Sequence, residues 1–352
     1  MNILVTGGAG YIGSHVVKQL LGTTDHDVTV LDSLVTGFQQ TVDTLKTIAS
    51  HAGRGSLSFH RTDLEDFAQV EALFGANRFD AVIHFAASLV VPESVRDPLK
   101  YYMNNTVNTA HLVRLCRAHG VDRFIFSSTA AVYGEPEEMP ILETTPTRPI
   151  NPYGSSKLMS ETVLRDTAAA DDAFRYVALR YFNVAGADPL NRIGECHDPE
   201  THLIPLIVKA ALGTRESITL FGEDYDTPDG TCVRDYIHVE DLASAHIAAL
   251  EYLEAGGASE VFNCGYGHGF SVSEVIETVR EVSGVDFPVV KADRRPGDPA
   301  ELVADNRRIR ETLQWVPRYD DLRFICKTAL AWETKHHALL HENTLTTEGQ
   351  TL

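Results

Sequence analysis

The first fourteen residues constrain the fold more than any other part of this 352-residue chain. An apolar run over residues 2–6 has the length of a buried parallel strand. After it come Gly8, Gly10 and Gly13, spaced as Gly-x-Gly-x-x-Gly, and then a helical pattern of apolar residues. In a strand–turn–helix unit these glycines allow a tight turn and a close approach of a pyrophosphate to the backbone. The segment therefore predicts the first βα unit of a dinucleotide-binding sheet.

The next apolar run, residues 28–31, ends at an acidic residue, Asp32, nineteen positions after Gly13. A carboxylate at this point accepts hydrogen bonds from the adenosine ribose hydroxyls and repels a 2′-phosphate. The sequence thus predicts NAD as the cofactor in preference to NADP.

Strand and helix patterns alternate up to about residue 180, which is typical of βαβ units. The strand-like runs are residues 57–60, 81–85, 124–127 and 176–180, with helical patterns at 106–119 and 155–169. We predict an α/β fold: a doubly wound parallel-sheet Rossmann domain with a smaller mixed α/β substrate domain over the carboxyl ends of the strands. The predicted Rossmann domain takes residues 1–183 and 235–263, the substrate domain 184–234 and 264–335, and 336–352 form a flexible tail.

Composition excludes several classes of protein. A formal charge of −19 disfavours binding to nucleic acid or to an anionic membrane, and no apolar run has the ~18 residues that span a bilayer. The five cysteines are scattered without a Cys-x-x-Cys pair, and the fifteen histidines show no metal-ligand spacing. Together with the absence of a signal-like N-terminal segment, this predicts a cytoplasmic protein without a metal site.

Tyr153 is the only one of the twelve tyrosines that is followed four residues later by a lysine, Lys157. That spacing puts both side chains on one helix face, where an ammonium lowers the pKa of a phenol. The pair is a candidate base for taking a proton from an alcohol while a nicotinamide accepts the hydride. A strand end at 127–129 adds Thr129, which is either a third catalytic group or an ordinary turn hydroxyl.

These features together resemble the extended short-chain dehydrogenase/reductase family, and most closely its branch that epimerises UDP-sugars at C4. The resemblance runs from residue 2 to about 335, and residues 230–239 are its most specific part. It is carried by residues 6–13, 84–87, 92–95, 124–129, 132–134, 151–157, 179–183, 230–239 and 294–298.

The resemblance implies an NAD-dependent isomerase that interconverts UDP-galactose and UDP-glucose through a transient 4-keto sugar, with tightly held NAD reduced and re-oxidised in each cycle. It implies that Tyr153 moves the proton of the 4-hydroxyl, that Lys157 tunes Tyr153 and holds the cofactor ribose, and that Thr129 shares the proton. It also implies a homodimer. The implied NAD contacts are Gly7, Gly10, Tyr11, Ile12, Gly13, Asp32, Asp63, Leu64, Phe85, Ala86, Ala87, Asn104, Tyr153, Lys157 and Phe182.

The implied contacts to the UDP-sugar are Thr129, Asn183, His202, Leu203, Thr219, Phe221, Arg234, Arg295, Asp298 and Leu302. From the residues alone, an arginine is as easily a salt-bridge partner, Phe221 a core residue and Asp63 a helix N-cap. Leu89 and His202 depart from residues common in the family, a lysine and an asparagine respectively.

Three other functions compete with this interpretation. A nucleotide-sugar 4,6-dehydratase needs an Asp-Glu pair directly after the active-site threonine, where this chain has Ala130 and Ala131. A 4-epimerase for UDP-pentoses or UDP-uronates stays open. An NAD-binding regulator without activity would need the glycine loop, but not Tyr153, Lys157 and Thr129 together.

Overall fold

The structure is a computed structural model that describes residues 1–197, 199–295 and 297–348; side chains are described through residue 338. The strands are β1 Asn2–Thr6, β2 Asp27–Asp32, β3 Leu57–Arg61, β4 Ala81–His84, β5 Arg123–Thr129, β6 Arg175–Tyr181, β7 Asn183–Ala185, β8 Ile218–Phe221, β9 Val233–Arg234, β10 Tyr236–His238, β11 Glu260–Cys264, β12 Phe270–Ser271, β13 Val289–Ala292 and β14 Glu301–Leu302. The helices are α1 Tyr11–Thr23, α2 Gln39–Ala52, α3 Phe67–Ala76, α4 Val91–Arg96, α5 Pro98–Tyr101, α6 Asn108–His119, α7 Pro152–Ala170, α8 Leu203–Ala211, α9 Val239–Glu254, α10 Val272–Ser283, α11 Arg307–Leu313 and α12 Leu322–Glu348.

A seven-stranded parallel sheet organises the larger part of the molecule, in the order β11-β6-β5-β4-β1-β2-β3. The direction of winding reverses between β1 and β4, so the loops that follow these two strands diverge at the carboxyl edge. A crevice at such a reversal is where ligands bind in open α/β sheets. The predicted fold class is confirmed.

Alternate residues of the central strand β1 belong to different hydrophobic cores. Ile3 and Val5 pack with α1 and α9 on one face, and Leu4 packs with α3 and α6 on the other. Helices therefore cover both faces of the sheet, which explains why its strands are continuous apolar runs. Truncating a fully buried leucine such as Leu4 costs about 2–5 kcal/mol.

The second half of the chain contributes to both parts of the molecule. Strand β11 completes the main sheet beside β6, and α9 packs on α1. The remaining elements form small sheets at the carboxyl edge: β10 with β7, β13 with β8, and β9 between β12 and β14. The predicted bounds of the two domains stay a prediction.

Helix α12 extends into the segment that the sequence predicts as a flexible tail from residue 336. The sequence analysis did not predict this helix, which continues through Glu348, whereas 349–352 lie outside the described residues. That the segment is flexible stays a prediction. The polar composition of this segment hid a helix that begins in the core, where Ile325 and Cys326 are buried. In the part of the chain that is described, no helix combines the length and apolarity needed to cross a membrane.

Candidate active site

The glycine loop lies tightly against the loop that follows β4. Gly7 has a φ of +71°, and a Cβ there would be 2.6 Å from the backbone nitrogen of Ala86, so the position requires glycine. Helix α1 begins directly afterwards, and its N-cap Gly10 makes no side-chain hydrogen bond. The amino end of α1 therefore presents its N–H groups and positive dipole end to an anion such as a pyrophosphate.

Asp32 is buried at the carboxyl end of β2, beside this loop. Its carboxylate accepts hydrogen bonds from the N–H of Ala9 at 2.9 Å and of Leu34 at 2.8 Å. Burial raises its pKa, while these two hydrogen bonds oppose the rise. The carboxylate thus holds the loop in shape and keeps lone pairs for ribose hydroxyls.

The other predicted NAD contacts lie on loops at the same edge of the sheet. Asp63 is exposed after β3 and accepts from the N–H of Glu65, while the N-cap of α3 is Asp66. The alternative role of Asp63 as a helix N-cap is therefore wrong. Asn104 lies in a π-helical turn, Tyr102–Val107, and donates to Ser88 Oγ at 2.8 Å. The remaining predicted contacts there are Leu64, Phe85, Ala86, Ala87 and Phe182.

Helix α7 carries the predicted catalytic pair, and its amino end is well capped. Asn151 caps it by accepting from the N–H of Gly154 at 2.9 Å, and Pro152 occupies the first turn. One turn on, Lys157 donates from Nζ to the carbonyl of Ser127 at 2.8 Å. Tyr153 is hydrogen-bonded with Thr129 at the end of β5. The structure thus brings together the three residues that the sequence singled out.

The protonation of this pair differs from the sequence prediction. Burial raises the pKa of Tyr153, and the Thr129 hydrogen bond only partly opposes this. Burial also lowers the pKa of Lys157 to about 7, although Glu161 favours its charged form. The predicted lowering of the pKa of Tyr153 by Lys157 is therefore wrong for this structure, because the lysine is itself desolvated and directed at a backbone carbonyl.

A buried ion pair that the sequence analysis missed fixes α7 to the sheet. Glu161, one turn beyond Lys157, accepts from Nε of Arg180 on β6 at 2.9 Å and from the hydroxyl of Ser128 on β5. Arg180 also donates to the Tyr133 hydroxyl at 2.9 Å, which donates to Asn263 at 2.7 Å. The only sequence signal was a charged residue on the buried face of α7.

Of the two predicted phosphate-binding arginines, Arg234 lies on β9 of a smaller sheet and Arg295 lies in the loop after β13. Arg234 is buried and donates to Asp298 Oδ1 at 2.6 Å, so two predicted substrate residues are paired with each other. The guanidinium carbon of Arg295 lies 3.9 Å from the ring centroid of Phe221. Each of these arginines is held where an incoming diphosphate could replace or share its present partner.

The remaining predicted substrate residues lie on several different elements of the smaller sheets and on α8. Leu302 pairs in register with Arg234 and packs against the small core cluster that contains Phe182. Asn183 is exposed at the start of β7, Thr219 is half-buried in β8, and Leu203 begins α8. His202 differs from these residues because its Nδ1 is already paired with a carboxylate, that of Glu195.

Comparisons with known proteins find relatives over nearly the whole chain. Residues 3–265 match the model of the NAD dependent epimerase/dehydratase family. The chain is 52% identical over 331 residues to a UDP-glucose 4-epimerase of Azospirillum brasilense, covering 94% of this chain and 91% of that one. It is 53% identical to the structure of the UDP-Glc/GlcNAc 4-epimerase from Campylobacter jejuni, with a TM-score of 0.83 over 95% of this chain and 99% of that one. A UDP-glucose-4-epimerase from Stenotrophomonas maltophila, solved with bound NAD and formylated UDP-arabinopyranose, is 38% identical, with a TM-score of 0.91 over 96% of this chain and 99% of that one.

Proposed function

The chain belongs to the NAD-dependent epimerase/dehydratase family, and from this premise we propose that it is a UDP-glucose 4-epimerase. It interconverts UDP-galactose and UDP-glucose through a transient 4-keto sugar. The observation that carries this function is the convergence of Tyr153, Thr129 and Lys157 at the carboxyl end of β5, two strands away from the glycine loop that follows β1.

The residues have distinct roles in this reaction. NAD, which the glycine loop and Asp32 would hold, would supply the hydride acceptor and donor for C4 of the sugar. Tyr153 takes the proton of the 4-hydroxyl and gives it back. Thr129, which is hydrogen-bonded with Tyr153 in the structure, hydrogen-bonds the 4-oxygen of the sugar and shares the proton. Lys157 supplies a positive charge that favours the phenolate form of Tyr153. For this, Nζ of Lys157 has to leave its present partner, the Ser127 carbonyl.

The residues after Thr129 argue against a 4,6-dehydratase. Ala130 and Ala131 form a 3₁₀ turn at the end of β5 and offer no acid or base for the elimination of water. Epimerisation needs no such groups, because the proton returns to the 4-oxygen and the hydride to C4, and no water is eliminated.

The test of the function is direct. Purified protein is incubated with UDP-galactose without added NAD, and UDP-glucose is followed by NMR while absorbance at 340 nm is recorded. We expect conversion to an equilibrium mixture with no net accumulation of NADH. Accumulation of NADH in step with the loss of substrate would identify a dehydrogenase instead.

Asp32 decides the choice of cofactor. We expect Asp32→Asn and Asp32→Ala to improve binding of NADP relative to NAD by about tenfold, equivalent to ~1.4 kcal/mol, because a 2′-phosphate no longer meets a carboxylate. Asn keeps one acceptor for the N–H groups of Ala9 and Leu34, so it separates lost charge from a loosened loop. Dissociation constants for both cofactors provide the measurement, and Asp25→Asn, an exposed acid before β2, is the control. Equal use of NAD and NADP by the parent would contradict the role of Asp32.

Leu302 limits the size of the sugar. By resemblance it lies beside the 2-substituent, where a large residue restricts N-acetylated sugars and a small one admits them. We expect measurable but inferior epimerisation of UDP-N-acetylglucosamine by the parent. Leu302→Ser should raise its kcat/KM, relative to that of UDP-glucose, by about tenfold or more.

The control for Leu302→Ser is the melting temperature, since truncating a buried leucine typically costs ~2–5 kcal/mol and Leu302 is half-buried. If neither protein acts on the acetylated sugar, another residue closes the pocket.

We further propose that the protein is a cytoplasmic homodimer. Val91, Val95, Leu99, Met103 and Val107 recur every four residues along α4, α5 and the π-helical turn, and all are exposed, Leu99 to 72%. Met159 extends this stripe onto α7. A stripe of this kind is typical of an interface between helices, and a second copy supplies an identical one.

A cytoplasmic location is supported by the four buried thiols Cys116, Cys232, Cys264 and Cys326.

The oligomeric state can be measured by size-exclusion chromatography with light scattering. We expect the mass of two chains for the parent and of one for Leu99→Lys, because a buried ammonium without a partner opposes association. Val316→Lys, which changes a similarly exposed residue elsewhere, should leave the dimer intact. A monomeric parent would overturn the proposal.

A further inference from the structure

Two glutamates and two histidines meet in the loop that leads into α8. Nδ1 of His197 lies 3.1 Å from Oε1 of Glu195 and 3.9 Å from Oε1 of Glu200. Nδ1 of His202 lies 3.7 Å from the same Glu200 atom and makes its closest contact with Glu195. One potential ligand atom from each of the four residues lies within 4.8 Å of all the others. Within residues 1–197, 199–295 and 297–338, this is the one such group of three or more.

The surrounding backbone holds this cluster in place. Gly194 packs against the indole of Trp332, and a Cβ there would be 2.4 Å from the ring. The Trp332 Nε1 donates to the carbonyl of Glu195 at 2.7 Å. Oε1 of Glu200 accepts from the N–H of Thr201 at 2.7 Å and of His202 at 2.8 Å. The four ligand atoms therefore converge because the loop is folded around them.

Ordinary ion pairs explain only part of this arrangement. A protonated His202 is enough to pair with Glu195. That pair leaves the position of His197 unexplained. Its Nδ1 faces both carboxylates, is buried and makes no hydrogen bond. The side chains of Glu195 and Glu200 are each only 5% exposed, so two like charges are buried side by side. A divalent cation would neutralise both carboxylates and occupy the lone pair of His197.

We propose that Glu195, His197, Glu200 and His202 bind a divalent transition-metal ion, of which zinc is the expected one. Tetrahedral zinc with bonds of ~2.0–2.2 Å has ligand atoms about 3.3 Å apart, which lies between the 3.1 Å and 3.9 Å that separate His197 from the two glutamates. Two imidazoles favour zinc over magnesium or calcium, which prefer oxygen ligands alone. On binding, His202 releases its proton, since the metal takes the neutral imidazole.

The ion would stabilise the loop that carries the four ligands and leads into α8, and would take no part in the chemistry. The chain just before this loop contacts the glycine loop, because the Tyr11 hydroxyl donates to the carbonyl of Gly186 at 2.6 Å. Besides burial, Glu195 and Glu200 raise the pKa of Tyr11. Two predicted substrate residues follow directly: His202 ends this loop and Leu203 begins α8. The site therefore goes beyond the epimerase proposal and does not depend on it.

The sequence analysis found no metal-ligand spacing among the histidines, and the site proposed here departs from that prediction. Residues 195–202 have the spacing Glu-x-His-x-x-Glu-x-His, in which ligand-type residues recur within eight positions. Counting histidines and cysteines alone overlooks carboxylates, whose oxygens also bind zinc.

The first test is metal content. Untagged, NAD-loaded protein is stripped with a chelator, dialysed against zinc or cobalt, and analysed by mass spectrometry for metal per chain. We expect about one ion per chain in the parent and in His268→Ala, and less than a tenth of this in His197→Ala and Glu200→Gln. His268 is a suitable control because it forms an exposed His–Asp pair with Asp320. Equal metal content in all four proteins would mean that the metal binds only to the surface, which would overturn the proposal. The absence of metal from the parent would overturn it too.

The second test can be decided on the parent protein alone, with Glu200→Gln as a comparison. The cobalt-loaded parent should show the intense visible bands of tetrahedral cobalt, and zinc should raise the melting temperature of the stripped parent but not that of Glu200→Gln. Glu200→Gln keeps the shape of the side chain and removes only its charge. An unchanged melting temperature of the parent, or the weak bands of hydrated cobalt, would overturn the proposal.

Discussion

Tyr153→Phe should lower the turnover of UDP-galactose by about a hundredfold or more while leaving the fold intact. The substitution removes one oxygen, which is hydrogen-bonded with Thr129 and is the only acidic or basic atom that Tyr153 offers. Helix α7 is capped by Asn151 and anchored through Glu161, neither of which contacts that oxygen in the structure. The loss should therefore appear in kcat and not in stability.

The measurement is kcat from NMR time courses, together with the melting temperature and the amount of NAD that co-purifies. Tyr252→Phe is the control: this tyrosine accepts from the N–H of Ala258 at the end of α9, away from α7. Near-normal turnover of Tyr153→Phe would show that another group moves the proton.

Arg180→Met should lower the free energy of unfolding by about 3–5 kcal/mol. The substitution leaves Glu161 buried without its cation and removes a donor to the Tyr133 hydroxyl. Arg165→Met, also at an ion pair but an exposed one with Asp166, should change the free energy by less than ~1 kcal/mol.

Urea unfolding of the two variants and of Arg180→Met/Glu161→Leu decides the cause. The double variant should recover part of the loss, because an apolar pair needs no counter-ion. If Arg180→Met were as stable as Arg165→Met, the buried pair would not anchor α7. Activity of the double variant then tells whether the anchor also positions Tyr153.

The parts of the fold and site that were predictable from the sequence depend on local spacing. The glycine loop and Asp32 lie within one βα unit and the next strand, and Tyr153 and Lys157 lie one helical turn apart. Such patterns constrain the backbone directly, so the residues are found where the spacing predicted them.

What the sequence did not reveal depends on three-dimensional surroundings. Arg180 and Glu161 are nineteen residues apart, and nothing local shows that one buried side chain finds the other. The pKa of Tyr153 depends on how far burial outweighs the neighbouring charge, which a spacing of four cannot tell. Helix α12 was missed because its polar end lacks an apolar stripe, although its first turns are buried in the core.

The position of β11 in the main sheet has a consequence for synthesis on the ribosome. Strand β6 is complete at Tyr181, but its neighbour β11 begins only at Glu260. At about 5–20 residues per second, the nascent chain carries an open sheet edge for several seconds. An unpaired, apolar edge is a template for pairing between chains. A fragment that stops before β11 should therefore aggregate, and ribosomes that pause between these two strands should lower the yield of folded enzyme.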